Sequence, residues 1–304
     1  MKRTLTARAV LGGLAALAVV GMAGAANAQD VLLGEGVFPE SIAATPDGGL
    51  ISGSVAGTNI YIAAPGATEA SVFATVAEGS TLGVFADGDT VYACNVAPGF
   101  GPGTLLTFDT GGNQTGAYPL PNGGLCNDIA VGPDGTVYVT DTGGFAGRPG
   151  AVLALVEGQD GALTFATVFA SSSIGGADGL AFVGDDLYVN DVMTGALWGL
   201  SVSGSTLNSV WQVTLDRALA GPDGMRAASN GGLLVAENAA GRVSHIAIDG
   251  SNGTVTTVAE GDWESATGVA EANGQIYVID TKFGAMGNPD ATPGPFSIIA
   301  IGGM

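Results

Sequence analysis

The 304-residue chain carries 28 acidic against eight basic side chains, a formal charge of −20, and such a surface repels nucleic-acid backbones and anionic lipid. A single histidine, His245, excludes most Ser-His-Asp, Cys-His and His-rich metal chemistry, and two cysteines, Cys94 and Cys126, are too few for a Cys-rich zinc site. The 52 glycines announce a turn-rich chain, and the length is ample for a large core.

Lys2, Arg3 and Arg8 open the chain, an apolar Gly/Ala-rich stretch follows from Ala9, and Ala26-Asn27-Ala28 has the small-x-small form of a cleavage site. Residues 1–28 therefore read as a secretory signal peptide, and the expected location is the periplasm or outside the cell. The mature chain, 29–304, is expected to form a single domain. It keeps five basic residues, Arg148, Arg217, Arg226, Arg242 and Lys282, against all 28 acids, a formal charge of −23. That balance suits divalent cations and leaves no expectation of nucleic-acid binding, nor of membrane binding once the signal is removed. A monomer is expected.

Six segments beyond the signal share one pattern: a polar or small residue, a short apolar strand, a Gly/Asp/Asn turn, and a second strand with an apolar or aromatic centre. They start at Glu40, Leu82, Asn127, Asp178, Asp223 and Thr267, spaced by 42, 45, 51, 45 and 44 residues. That spacing fits a propeller blade of four strands. In the third repeat the strands are NDIAVG, TVYVTDT, GAVLALVE and LTFATVFA. Helical periodicity is nearly absent; the best candidate runs from Thr214 to Leu219. The sixth repeat is one strand short, and DVLLGE from Asp30 supplies a strand able to complete it. The predicted fold is an all-β, six-bladed β-propeller closed by an N-terminal strand completing the last blade.

In such a ring the first residue of each inner strand lies at one mouth of the central channel. Here Glu40, Asn127, Asp178 and Asp223 offer oxygen ligands, three of them carboxylates. Crowding them on one axis raises their pKa values unless a cation sits among them. Oxygen donors favour a hard ion: Ca2+ first, with Mg2+, Mn2+ or Zn2+ as alternatives. An empty acidic funnel is the other reading.

The pieces CNDIAVGPDGTVYVTD, ADGLAFVGDDLYVND, GPDGMRAASNGGLLVAENAAGRV and FPES, in order and at blade spacing, resemble the senescence marker protein, gluconolactonase and luciferin-regenerating enzyme family of calcium-binding propeller hydrolases. The resemblance covers nearly the whole mature chain. It implies that Glu40 is a metal ligand, that Asn127 is a ligand or holds substrate beside the metal, and that Asp223 is a ligand and the general base. Asp178 falls where the family usually has a ligating Asn, so it is a ligand able to share the role of base. Two further departures stand out: Ser41 replaces a usual Gly, and Leu125 replaces an Arg typical of sugar-lactone hydrolases.

The resemblance implies metal-dependent hydrolysis of a small-molecule lactone or ester, less polar than a sugar lactone. A bound divalent ion polarises the carbonyl, and a neighbouring carboxylate activates water. Arg226 is a candidate substrate contact, or else a partner for nearby acids. Phe100 and Phe145, on Gly-rich loops after second strands, are candidate lid residues, or ordinary surface residues. Cys94 ends a second strand and Cys126 immediately precedes Asn127, so neighbouring blades are expected to join them in a disulfide. Glu237 and Asn238 stand either behind the site or on a solvated turn. The alternative function is a non-catalytic propeller that binds a protein or polysaccharide, with a structural metal in its channel.

Overall fold

In the repeat that starts at Asn127, Gly132-Pro133-Asp134-Gly135 closes a hairpin. The Gly135 amide donates to the Gly132 carbonyl at 2.9 Å, and Asp134 Oδ1 accepts from the Thr136 amide at 2.9 Å. Gly135 sits at φ +82°, which side-chain-bearing residues rarely adopt. The flanking runs pair antiparallel, Ile129 with Val139 and Val131 with Val137. Two further strands, Gly150–Glu157 and Leu163–Ser171, extend the sheet outwards.

The structure, a computed structural model, describes residues 29–143 and 147–303 and holds six such sheets. The expected signal peptide lies outside the described residues. From blade one to blade six the inner strands are Ile42–Ala44, Ser80–Asp87, Cys126–Val131, Ala177–Val183, Pro222–Ala227 and Ala266–Ala272. The molecule is the predicted six-bladed β-propeller.

The core lies between blades. Tyr138 and Val152 of blade three pack on Leu180, Leu187 and Val189 of blade four, and a comparable cluster fills each of the other five junctions. Second strands are therefore covered on both faces: all five residues of Val137–Asp141 are buried, as are all five of Leu233–Glu237. This accounts for the apolar runs that open them, Val137-Tyr138-Val139 and Leu233-Leu234-Val235-Ala236, each fully buried Leu or Val stabilising by roughly 1.5–3 kcal/mol. Outer strands such as Thr206–Gln212 are largely exposed. Trp198 packs against Phe169 of the preceding blade and Trp211 against Tyr188. His245 Nε2 bonds the Gly231 carbonyl oxygen at 2.7 Å, a structural placement.

Blade six closes as predicted. Val31–Gly34 pairs antiparallel with Phe296–Gly302, Val31 facing Ile298, and it becomes the outermost strand of that sheet. Blade five differs from expectation. The best helical candidate, Thr214 to Leu219, begins instead with Thr214–Leu215, a fifth strand running parallel to the outer strand Asn252–Glu260. Asp216 Oδ1 locks it there by accepting from the Val255 amide at 2.8 Å.

Candidate functional site

The inner strands break register where the predicted ring residues fall. Pairing jumps from Cys126 to Ile129, from Ala177 to Leu180, from Pro222 to Met225 and from Thr81 to Val84. Each bulge frees one ring residue from the ladder, so its side chain can turn to the channel mouth. Glycine follows most ring residues because the next blade's backbone is close. A Cβ at Gly83 would stand 2.1 Å from the Asn127 carbonyl oxygen, and one at Gly179 would stand 2.4 Å from that of Asp223.

Glu40, Asn127, Asp178 and Asp223 all line one cavity of about 560 Å3, and all four are buried. Leu82 joins its wall. Thr267, the remaining ring position, instead hydrogen-bonds Thr281. Asn127 Nδ2 donates to Asp178 Oδ2 and to Thr142 Oγ1, at 2.9 Å each, which leaves its amide oxygen as the acceptor. Asp223 is fixed on both oxygens, by the Gly224 amide at 3.0 Å and by Asn238 Nδ2 at 2.9 Å. Asn238 thus stands behind the site rather than on a solvated turn. Glu40 Oε2 is buried with no hydrogen-bond partner.

These carboxylates strain against ionisation. Burial holds Glu40 well above the ordinary range, helped by the charges of Asp223 and Asp128 and opposed by Arg226. Burial, then Asp223, Glu40 and Asp128, do the same to Asp178. Burial lifts Asp223 to about 7, against the hydrogen bonds from Asn238 and Gly224.

Arg226 is not a cavity residue, which corrects its candidacy as a substrate contact. It lies buried, outside the set of residues that line the cavity. Its guanidinium donates to Asp128 Oδ2 at 2.6 Å, the Met225 carbonyl at 2.7 Å, the Val84 carbonyl at 3.0 Å and Ser41 Oγ at 3.1 Å. It is a plug that ties blades one, two, three and five across the axis. Arg226 pairs directly with Asp128, and among the described residues no basic side chain forms an ion pair with Glu40, Asp178 or Asp223.

Phe100 lines the cavity and is exposed, at φ +54°. Phe145 lies outside the described residues. The cavity wall is otherwise largely apolar, from Val55, Leu82, Leu125, Val192 and Phe283. Arg148, Thr142 and Asn238 also line it and were not assigned to the site from sequence as cavity residues. Cys94 and Cys126 form a disulfide between blades two and three, pinning the strand that carries Asn127.

Among the described residues no three His, Cys, Asp or Glu side chains are drawn into a closed metal cluster. The ring faces its donors onto a shared cavity instead. Three carboxylates in no ion pair, an amide oxygen and a Glu40 Oε2 with no hydrogen-bond partner among the described residues are a donor set that fits a hard, oxygen-liganded cation.

Fold and site together define a six-bladed propeller with an acidic pocket on its axis. The chain belongs to the SMP-30/gluconolactonase/LRE-like family, whose model matches residues 38–267. No curated protein is similar enough in sequence to match it. Among solved structures it is similar to a luciferin-regenerating enzyme (16% identity, 88% of this chain and 92% of that one, TM-score 0.65). It is also similar to regucalcin, a calcium-binding protein from Agrobacterium tumefaciens (16% identity, 90% and 97%, TM-score 0.64). A gluconolactonase from Xanthomonas campestris is a third (15% identity, 87% and 86%, TM-score 0.61). At these identities the structural likenesses show the fold.

Proposed function

We propose that this protein is an exported, divalent-cation-dependent hydrolase of a small-molecule lactone or related ester. The observation that carries the reading is the buried ring of Glu40, Asp178 and Asp223, none of them in an ion pair among the described residues, open to a cavity of about 560 Å3. The family's gluconolactonases support the reaction class, and regucalcin supports calcium as the ion. The Cys94–Cys126 disulfide suits an oxidising compartment and so supports export.

Glu40, Asp178, Asp223 and the Asn127 amide oxygen would hold the cation, which supplies Lewis acidity towards the substrate carbonyl and the attacking water. Asp223 is the assigned general base. The Gly224 amide and Asn238 fix both of its oxygens, so its orientation is set before substrate arrives. Asp178 shares the floor and is oriented by Asn127, which makes it the second candidate. The apolar wall excludes water and offers little to a polyhydroxylated sugar acid, so a less polar lactone or ester fits better.

A pH-stat panel of lactones and aryl esters, run before and after chelation, tests this. The expected result is chelator-sensitive turnover that falls at least ~100-fold in Asp223→Asn. Full cation occupancy with no turnover on any substrate would instead favour a non-catalytic binding propeller.

A further inference from the structure

We infer that Arg148 forms a carboxylate-binding subsite at the cavity rim, so that the substrate is an apolar lactone or ester ending in a carboxylate. The word substrate rests on the hydrolase reading; the subsite itself does not. Among the described residues Arg148 is the only basic side chain that lines this cavity. The other four cations are committed elsewhere. Arg217 and Arg242 bind Glu237, Arg226 binds Asp128, and Lys282 donates to the Pro293 carbonyl.

Arg148 is held but not saturated. Its Nη1 and Nη2 reach Asp141 at 3.2 and 3.4 Å, long for a charge-assisted pair. Asp141 is itself buried and anchored, accepting from the Leu125 amide at 2.8 Å. The carboxylate therefore orients the guanidinium, while three of its five N–H groups have no partner among the described residues. The side chain is 32% exposed and opens onto the cavity.

The rest of the cavity dictates what can reach this group. Glu40, Asp178, Asp223 and Asn127 supply no basic side chain to a carboxylate, so an anionic end finds its counter-charge at Arg148. The cavity is otherwise lined by Val55, Leu82, Leu125, Val192 and Phe283, against which hydroxyl groups would be buried without partners. A ligand with its ester carbonyl at the floor, an apolar middle and a carboxylate on Arg148 satisfies all three zones. An ammonium-ended ligand would face the guanidinium and is disfavoured.

The test uses suberic acid monoanilide and its methyl ester, a pair differing in end charge, titrated by calorimetry into the mature protein. The carboxylate probe is expected to bind roughly tenfold tighter than the neutral one. In Arg148→Gln the preference should shrink to within about twofold, with neutral-probe affinity unchanged, and Arg148→Lys should keep part of it. Equal binding of the two probes to the wild type, or a preference that survives Arg148→Gln, overturns the inference. Should Arg148→Gln fail to fold, wild type in rising salt decides: the carboxylate advantage must erode, and a salt-independent advantage overturns the subsite. Turnover of 4-nitrophenyl hydrogen suberate is followed in parallel. Intact probe preference without turnover would sink the hydrolase reading and leave the subsite standing.

Discussion

Asp223 and Glu237 sit at the two ends of one hairpin, yet their carboxyls are driven in opposite directions. Burial lifts Asp223 to about 7 from an ordinary 3.8. Burial also opposes ionisation of Glu237, but Arg242, Arg217, Ser244 and the Ala220 amide outweigh it and hold that carboxyl at about 2, below an ordinary 4.5. Linkage then fixes the signs. A raised carboxyl contributes stability that is full below pH 3.8 and lost as pH rises through 7, whereas a depressed one contributes stability present above pH 4.5 and lost as pH falls through 2. Cation-stripped protein should therefore melt at progressively lower temperature from about pH 5 to 8, and again as the solution is acidified below about pH 4. Added calcium should abolish the loss on the alkaline side, because a cation favours the ionised ring. Thermal melts across pH, with chelator and with calcium, read this directly. A stripped protein whose melting point is flat or rises from pH 5 to 8 would contradict the uncompensated ring. Glu40, Asn127, Asp178 and Asp223 were legible in the sequence because each heads a copy of the same repeat. Arg148 was not, because a loop residue between second and third strands has no periodic address.

Strand bulges decide which way the ring residues and their neighbours point. Asp223 and Arg226 are three apart, which in an unbroken strand puts them on opposite faces. The bulge between Pro222 and Met225 shifts that parity, so Arg226 also faces the axis, one layer deeper, where Asp128 waits. No sequence pattern marks a bulge of this kind, so the sequence leaves Arg226 as either a substrate contact or a partner for nearby acids, and the pairing with Asp128 is the second of these. The segment Thr214–Leu215 misled for a related reason. Its residues suit a helix, but Gly253 opposite Leu215 leaves room for the side chain, and a Cβ there would meet Leu215 Cδ2 at 2.7 Å. Backbone pairing with blade five then wins over local propensity. The disulfide was readable, since Cys94 and Cys126 fall at matching ends of neighbouring blades. It closes a 32-residue separation, so replacing both cysteines by serine should cost about 3–4 kcal/mol in urea unfolding. A loss below about 1 kcal/mol would mean the loop is held by other contacts.

The ring closes because the first described strand, Val31–Gly34, completes its last blade. Val31 and Leu33 are buried against Phe296 and Ile298, in the same cluster as Ile42 and Leu50 of blade one. Deleting residues 29–36 should expose that cluster and the edge of Phe296–Gly302, and the product should lose cooperative thermal unfolding and self-associate. A deletion mutant that stays monomeric with an unchanged melting point would show that closure does not depend on this strand. The same closure holds six inner strands at one radius, and so turns four separate residues into one site. Calorimetric titration of calcium into chelator-stripped protein tests that claim most directly. The account predicts one ion per chain, taken up with proton release that makes the apparent enthalpy differ between buffers at one pH, and weakened at least ~100-fold in Glu40→Gln. Wild-type protein that takes up no calcium at millimolar concentration would contradict it.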